Sequence, residues 1–210
     1  MPLLLELFSG TGSIGRAFAA QGWDVISVDC DPRAHATIRC DISQFEVSRE
    51  LCGRTVDCIW ASPPCTKYSV ARRSAETTAE DLEMSDILVK KTIDIARELG
   101  NPALFIENPW TGQLKNRGLL DFMQLHRVDY CKYEFPYRKR TAIWTNTAWR
   151  PERPLCKGDC AAYGVKGHKA RAQQGGPGPR FSQRELYRIP PGLCDEIASY
   201  CTANVQSPPA

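Results

Sequence analysis

The feature that most constrains this chain is an apolar run that stops at two prolines and a cysteine. Val56 to Ala61 has the composition of a buried strand, and Pro63-Pro64 ends it because proline has no N–H to give to a sheet. In an open α/β sheet, ligands bind beyond the carboxyl ends of the strands. Cys65 is therefore a candidate nucleophile. The alternative is that it is one more small apolar residue among the ten cysteines of the chain.

Length and composition indicate one globular domain with a modest appendage, because 210 residues with 42% hydrophobic content can bury a sizeable core. The start, Met1 to Leu5, has too short an apolar run for a signal peptide or a membrane span, and no basic residues precede it. We therefore expect an intracellular, soluble protein without membrane contact, and nothing distinguishes nucleus from cytoplasm. Its cysteines should be reduced and serve as thiols, a nucleophile or metal ligands.

The positive charge is concentrated in one region. Residues 1–130 carry 14 Lys and Arg against 18 Asp and Glu, whereas residues 131–188 carry 13 against 4. Cations interleaved with aromatic side chains suit a nucleic-acid face, and a solvated basic surface is the alternative. The aromatic residues of this region include Tyr133, Tyr137, Trp144, Trp149 and Tyr163.

The chain opens with a strand, a glycine-rich loop and a helix. Leu3 to Phe8 is apolar apart from one residue, Ser9 to Gly15 contains three glycines, and the helical spacing that follows ends at Gly22. Glycines allow a ligand to approach the backbone closely, and a helix N-terminus offers unpaired N–H groups. This order is typical of nucleotide binding, although tight turns often share the pattern.

Acidic residues follow the next strands. The second strand, Asp24 to Val28, ends at Asp29-Cys30-Asp31, and a carboxylate at such a tip can bind both hydroxyls of a ribose. For Asp31 we favour the role of a helix N-cap. We expect a third short strand to end at Cys40-Asp41-Ile42, where Asp41 accepts a hydrogen bond from an adenine amino group and Ile42 packs on the ring.

A second functional side chain follows a later strand. Thr66 to Asp81, with Arg72 and Arg73, is predicted to be a mobile loop that closes over a substrate. Leu82 to Leu99 is predicted to be a helix, whose apolar stripe should be core packing. That stripe consists of Met84, Ile87, Leu88, Ile93 and Ile95. Ala103 to Ile106 is the next buried strand, and Glu107-Asn108-Pro109 stands at its end. Cys65 and Glu107 should therefore lie on the same rim, which suits covalent catalysis with a proton partner.

Several of these pieces resemble, in the family's order, the motifs of S-adenosylmethionine-dependent cytosine-5 DNA methyltransferases. They are Leu7-Phe8-Ser9-Gly10-Thr11-Gly12, Asp29, Asp41-Ile42, Pro63-Pro64-Cys65 with Ser69, and Glu107-Asn108. Phe135 to Trp144 resembles the arginine-bearing strand, with Tyr137 where glutamine is usual. Ser182 to Glu185 and Ile189 to Ile197 are similar to the segments that complete the cofactor wall, without the usual Gly-Asn pair.

The resemblance implies an α/β, Rossmann-like class I methyltransferase fold, with a mostly parallel central sheet, one antiparallel strand and a small irregular C-terminal lobe. Residues 1–146 would form the catalytic domain, 147–180 a basic recognition lobe, and 181–210 a segment returning to the catalytic domain. The implied cofactor-binding residues are Phe8, Ser9, Gly10, Thr11, Gly12, Asp29, Cys30, Asp41, Ile42 and Pro64. The implied catalytic residues are Cys65, Glu107, Arg138 and Arg140, where either arginine would hold the cytosine O2.

The recognition lobe needs a stabilising cross-link, because residues 147–180 are rich in Gly, Pro, Lys and Arg and cannot build much hydrophobic core. Cys156, Cys160 and His168 supply three soft ligands, and Cys131 could complete a tetrahedral, structural zinc site. The alternative is that Cys131 is a core thiol and His168 a surface or phosphate-contacting residue.

Three functions are compatible with the sequence. The first is a monomeric DNA cytosine-5 methyltransferase, in which Cys65 adds to C6 of a flipped-out cytosine and Glu107 binds N3 and the exocyclic amine. The second is the same chemistry on RNA, which the short recognition lobe leaves open. The third is a catalytically silent protein that binds nucleic acid or cofactor, which the presence of both Cys65 and Glu107 disfavours.

Overall fold

The structure, a computed structural model, describes residues 1–68, 78–170, 172 and 181–205. Its centre is a six-stranded sheet built on β1 (Leu3–Leu7), whose five residues are all buried. The other strands are β2 (Asp24–Val28), β3 (Cys58–Ala61), β4 (Ala103–Pro109), β5 (Gln124–Asp129) and β6 (Arg140–Thr145). An apolar strand buried on both faces is typical of the middle of a parallel sheet.

The strand order is β2-β1-β3-β4-β6-β5. The pairs among β1, β2, β3 and β4 are parallel, and β6 runs antiparallel to both β4 and β5. The predicted α/β class I fold, with a mostly parallel sheet and an antiparallel strand, is confirmed. The parallel strands direct the residues after β1, β2, β3 and β4 to one edge of the sheet.

Helices cover both faces of the sheet. On one face, α1 (Ser13–Ala20) and α5 (Pro191–Val205) pack together with Leu4 and Phe105. On the other face, α2 (Val47–Leu51) and α3 (Ala79–Glu98) contribute to a core that includes Leu5 and Ile106. A short helix, α4 (Gln183–Leu186), precedes α5. None of the helices within the described residues is long and apolar enough to cross a membrane.

The predicted third strand is absent from its place. A single bridge between Val28 and Ile38 replaces it, and residues Ile42–Gln44 form a 3₁₀ helix capped by Asp41. The Asp41 side chain accepts the Ser43 N–H, and this local bond favours a turn over a strand.

The structure also differs from the prediction at one end of α3, at the end of β4 and in the buried face of α3. The helix α3 begins at Ala79, because the Thr78 side chain accepts the Asp81 N–H as an N-cap. Met84 and Ile87 of the predicted core stripe are 64% and 49% exposed, since the helix buries its Val89 side instead. The strand β4 continues to Pro109, so Glu107 lies within the strand rather than after it.

The C-terminal lobe carries little regular structure. Its strands β7 (Tyr163–Gly164) and β8 (Gly167–His168) form a short hairpin. Residues 171 and 173–180 of this lobe, and Ser69, Arg72 and Arg73 of the predicted substrate loop, lie outside the described residues.

Candidate active site and metal cluster

The Pro63-Pro64-Cys65 turn is fixed to the neighbouring strand. The fully buried Asn108 donates from Nδ2 to the carbonyl of Pro63 at 3.0 Å. Prolines offer no N–H, so the carbonyl is the backbone group through which the turn can be held. Farther along, Tyr68 is fully buried and donates from its hydroxyl to Asp86 at 2.7 Å. The backbone that carries Cys65 is therefore fastened on both sides.

The Cys65 thiol lies among groups that shift its pKa in opposite directions. Its side chain is partly buried. On balance the pKa of Cys65 is raised, because burial and the nearby Glu107 carboxylate raise it and Lys139 offsets only part of that rise. The predicted pairing of Cys65 with Glu107 at one rim is thus present in the fold, and a lysine accompanies them.

Glu107 is held by two polar side chains. Its Oε1 atom lies 3.3 Å from the Tyr130 hydroxyl and 3.7 Å from Lys139 Nζ. Lys139 also donates to the Leu186 carbonyl at 3.1 Å, and its Nζ lies 4.9 Å from the centre of the Tyr130 ring. Since Glu107 is only 7% exposed, these contacts determine where its carboxyl points.

The two predicted arginines flank this lysine in sequence. Arg140 pairs with Asp129 across the β5–β6 ladder, and strand alternation places it on the opposite face from Ile143, the partner of Glu107. Arg138 precedes β6, and its buried Nε has no hydrogen-bond partner among the described residues. Within the described part of the chain, the cation that contacts Glu107 is Lys139.

The glycine loop and the acid after β2 meet at the other end of this edge. The Gly10 N–H donates to Asp29 Oδ2 and the Asp31 N–H to Asp29 Oδ1, both at 2.8 Å. Gly10 and Gly12 have φ of 50° and 63°, which glycine adopts without strain. Each Asp29 oxygen keeps a second lone pair, so the carboxylate can brace the loop and still accept a ligand hydroxyl.

The predicted cofactor residues Cys30, Asp41 and Ile42, and the neighbouring Asp31, lie in the segment that follows β2. Asp31 caps the short 3₁₀ helix Pro32–Ala34, which confirms the N-cap interpretation. Asp41 uses Oδ1 to accept from both the backbone and the hydroxyl of Ser43. Ile42 is buried and Cys30 is exposed.

Four metal-ligating side chains meet in the C-terminal lobe. One ligand atom from each of Cys131, Cys156, Cys160 and His168 lies within 4.8 Å of the others. His168 Nε2 is 3.4 Å from the sulfurs of both Cys156 and Cys160. A zinc ion bound tetrahedrally at about 2.3 Å places its sulfur ligands roughly 3.8 Å apart. Three thiols and one imidazole at this spacing suit a structural zinc site.

The lobe is tied to the sheet beside this cluster. The buried carboxylate of Asp129 accepts the Cys156 N–H at 3.0 Å, and Lys132 pairs with Asp159 at 3.0 Å. The Gly158 N–H lies 3.4 Å from the Cys156 sulfur, a bond that favours a thiolate. Cys131 follows β5 within the 3₁₀ helix Tyr130–Tyr133, so that helix joins the cluster to the sheet.

Comparison with known proteins identifies the family. No family model matches the chain. A relative from Frog virus 3 (isolate Goorha), named "Probable DNA (cytosine-5)-methyltransferase", is 31% identical over 217 residues, covering 94% of this chain and 99% of the relative. The chain belongs to the cytosine-5 DNA methyltransferase family.

Solved structures agree with this family at the level of the fold. A DNA modification methyltransferase encoded within an E. coli prophage matches with a TM-score of 0.54 and 18% identity, covering 69% of this chain and 46% of that chain. The Spodoptera frugiperda DNMT2 E260A/E261A/K263A mutant matches at 0.50 and 20%, covering 73% and 53%. The Entamoeba histolytica methyltransferase EhMeth matches at 0.51 and 14%, covering 74% and 56%. The matched part of the chain spans about half the length of each.

The family implies S-adenosylmethionine as cofactor, and the residues at the glycine loop fit it. The loop backbone bends through left-handed conformations beside the N-terminus of α1, and Asp29 stands at the tip of the adjacent strand. A nucleoside with a ribose and a charged amino-acid part requires such donors and acceptors.

Sequence reasoning missed three residues of this methyltransferase. Glu6 is 3% exposed in the middle of β1, and burial raises its pKa to about 7 although the N–H groups of Gly15 and Ile14 act against that shift. A Cβ on Gly15 would lie 2.6 Å from Glu6 Oε2, so the glycine makes room for this carboxyl. The sequence signal for Glu6 was an ionisable residue inside an otherwise apolar strand. Lys139 and Tyr130, which contact Glu107, were hidden because their orientation depends on the pairing of β5 and β6.

Proposed function

We propose that this chain transfers a methyl group from S-adenosylmethionine to C5 of cytosine in DNA. The observation that carries the proposal is the convergence of Cys65, Glu107 and Lys139 at one edge of the sheet. DNA is the proposed substrate because the Frog virus 3 relative is named for DNA and because residues 131–188 are strongly basic.

The chemistry follows from the electronic structure of cytosine. C5 is a weak nucleophile until a group adds to C6, so the Cys65 thiolate forms a bond to C6 and the ring electrons move toward N3 and C5. A protonated Glu107 donates to N3 and accepts from the exocyclic amine, which stabilises that charge. S-adenosylmethionine, when bound, supplies an electrophilic methyl group. Loss of the C5 proton to water and departure of Cys65 restore the aromatic ring.

The cations have separate tasks in this scheme. The pKa of Cys65 is raised overall by burial, and Lys139 offsets part of that rise, so the lysine assists formation of the thiolate that attacks C6. One of the two predicted arginines would hold the cytosine O2, and Arg138 is favoured because its buried Nε has no partner among the described residues, whereas Arg140 lies on the opposite face of β6 from Ile143, the partner of Glu107. A paired cytosine cannot enter such a site, so the target base is flipped out of the duplex.

A covalent-trapping experiment tests the mechanism. With duplex DNA containing 5-fluorocytosine, the wild-type protein should form an adduct stable on a denaturing gel, because fluorine cannot leave as a cation. Cys65→Ala should form none and transfer no methyl group, and Cys52→Ala, at an exposed cysteine, should behave like the wild type. Methyl transfer by Cys65→Ala would end the assignment.

The nucleic acid is tested in parallel. Tritiated-methyl transfer to duplex DNA, single-stranded DNA and transfer RNA, with the product base identified, should give 5-methylcytosine in duplex DNA. Labelling of transfer RNA alone would assign the same chemistry to RNA. Methyl transfer to none of them by protein that binds S-adenosylmethionine would favour a silent binding protein.

We also propose that residues 147–180 form the recognition lobe, between a catalytic domain (1–146) and a returning segment (181–210), and that Cys131, Cys156, Cys160 and His168 bind structural zinc. Elemental analysis should find about one zinc per chain. Cys156→Ser should lose the metal and duplex binding while S-adenosylmethionine still binds, and Cys40→Ser, outside the cluster, should retain both. Metal-free protein prepared without chelators would refute the zinc site.

A further inference from the structure

The turn that follows β4 carries a half-buried aromatic ring. The Gly112 N–H donates to the Pro109 carbonyl at 2.9 Å, which closes a β-turn with Trp110 at its second position. A Cβ on Gly112 would lie 3.1 Å from that carbonyl, so the turn is packed tightly. Part of the Trp110 side chain packs against the core, and the rest is open to solvent. Turns normally carry small or polar residues, so a tryptophan at this position indicates a contact beyond the core.

This turn lies at the edge of the sheet that carries the proposed catalytic residues. Asn108, two residues before Trp110, donates to the Pro63 carbonyl at 3.0 Å and so contacts the turn that carries Cys65. Glu107 is three residues before Trp110, and three residues of extended chain span at most about 11 Å. Successive base pairs of DNA are about 3.4 Å apart, so the Trp110 backbone lies within about three base pairs of that of Glu107.

Two cations flank the Trp110 ring. Lys115 Nζ lies 5.9 Å from the ring centre, and Arg127 Cζ lies 5.8 Å from it. These distances are near the outer limit of about 6 Å for a cation–π contact, so the ring holds neither cation strongly. Lys115 also donates to the Gly112 carbonyl at 3.1 Å. Arg127 contacts Asp129 through one terminal nitrogen at 3.2 Å, so its guanidinium keeps donors for another ligand.

The register of the sheet brings Arg140 to the same side. The Trp110 N–H donates to the Arg140 carbonyl at 3.0 Å, which continues the pairing of β4 with β6. Arg140 lies opposite Asp129 on β5, and Asp129 is two residues from Arg127. Residues two apart on a strand share a face, and so do residues directly opposite each other, so Arg127 and Arg140 face the same side. Asp129 is buried, and the charge that this surface presents is therefore positive.

The chemistry of this surface matches one strand of DNA. A deoxyribose presents C–H groups that pack on an aromatic ring, and it lies between two phosphates that lysine and arginine neutralise. An acidic peptide offers carboxylates without an apolar ring at a fixed place between them, so a DNA strand is the better match. The position beside the turn of Cys65 assigns the strand that contains the target cytosine.

We propose that Trp110, Lys115 and Arg127 bind the backbone of the target strand beside the flipped cytosine. Trp110 packs on a deoxyribose, and Lys115 and Arg127 bind the phosphates on either side of it. This inference rests on the proposed function and deepens it, because it names the residues that hold the strand while the cytosine enters the site. The contact reads no base, so it acts on DNA of any sequence.

The salt dependence of duplex binding tests the two cations. Lys115→Gln and Arg127→Gln should each reduce the slope of log K against log salt concentration by about one. Lys90→Gln, at an exposed lysine of α3, is the matched control and should leave the slope unchanged. Trp110→Ala should weaken binding by about tenfold at the wild-type slope, and Trp110→Phe by much less, because phenylalanine keeps a ring. Wild-type slopes in both cation variants, measured on proteins that still bind S-adenosylmethionine, would overturn the proposal.

A modified duplex tests where the contact lies. A methylphosphonate in place of one phosphate beside the target cytosine removes one charge from that strand. At one such position it should weaken binding by the wild type about fivefold and leave binding by Lys115→Gln unchanged, because that variant has already lost the partner of the phosphate. Equal weakening of both proteins at every position would contradict the placement beside the target base. If the wild type methylates no duplex, the proposed function fails, and the salt slopes still decide whether this surface binds DNA.

Discussion

The buried carboxyl of Glu6 makes the stability of this methyltransferase depend on pH. Burial raises the pKa of Glu6 from 4.5 to about 7 in the folded protein. Below pH 4.5 the carboxyl is protonated in both the folded and the unfolded chain. As the pH rises toward 7, the unfolded chain releases its proton while the folded chain keeps it, so the free energy of unfolding falls. The stabilisation is complete below pH 4.5 and is lost once the pH exceeds about 7.

The size of this loss follows from the pKa difference. A shift from 4.5 to about 7 spans roughly 2.5 units. At about 1.4 kcal/mol per unit, the free energy of unfolding should fall by about 3.5 kcal/mol over the whole range, most of it between pH 5 and pH 8. Domains are stable by only about 5–15 kcal/mol in total, so this is a measurable fraction.

Glu6→Gln isolates the effect, because glutamine has the shape of the protonated acid and cannot ionise. Urea unfolding should give the variant and the wild type nearly equal free energies of unfolding at pH 5. At pH 8 the variant should be more stable by up to about 3 kcal/mol. Glu98→Gln, at an exposed position of α3, should show no such divergence. A difference between Glu6→Gln and the wild type that is the same at pH 5 and pH 8 would refute the reasoning.

Substitutions at three further positions have defined outcomes. Asp29→Ala should weaken S-adenosylmethionine binding by about tenfold or more in calorimetry, since a hydrogen bond to a charged group contributes about 1.5–3 kcal/mol. A variant that binds with wild-type affinity would show that another residue binds the ribose. Lys139→Met should lower kcat by about 10²-fold and Lys139→Arg much less, because the cation beside Glu107 is what matters; equal losses would reject that role. Asp86→Ala should cost about 3 kcal/mol in urea unfolding, because it removes the partner of Tyr68 and Arg117, and a loss below about 1 kcal/mol would show that neither contact stabilises the fold.

Much of the fold could be predicted because its signals are local. The apolar run of β1, the glycine loop and the Pro63-Pro64 turn each determine the backbone through the residues themselves. The prediction of a third strand was wrong because a strand needs a neighbouring strand to pair with, and that pairing is decided by the tertiary structure. A single bridge between Val28 and Ile38 forms there, and the Asp41 side chain accepts the N–H of Ser43 instead.

The candidate site likewise contains residues that local sequence predicts and residues whose place depends on the tertiary structure. Cys65 and Glu107 could be predicted because parallel strands bring their carboxyl ends to one edge. The choice among the three cations at 138, 139 and 140 depends on how the chain enters β6, because two of them precede the strand and none of them pairs with β4. Arginine resembles the family's motif more closely, yet Lys139 is the one that lies 3.7 Å from the Glu107 carboxyl.

Three consecutive residues, the last of β5 and the two that follow it, join the proposed catalytic residues to the cluster of three cysteines and His168. Asp129 accepts the Cys156 N–H, Tyr130 contacts Glu107, and Cys131 contributes its sulfur to the cluster. Because Tyr130 lies between two anchored neighbours, loosening either of them should also loosen the contact that orients Glu107. An ion at the cluster would therefore stabilise the proposed recognition lobe and the position of the Glu107 carboxyl together, without touching the cytosine.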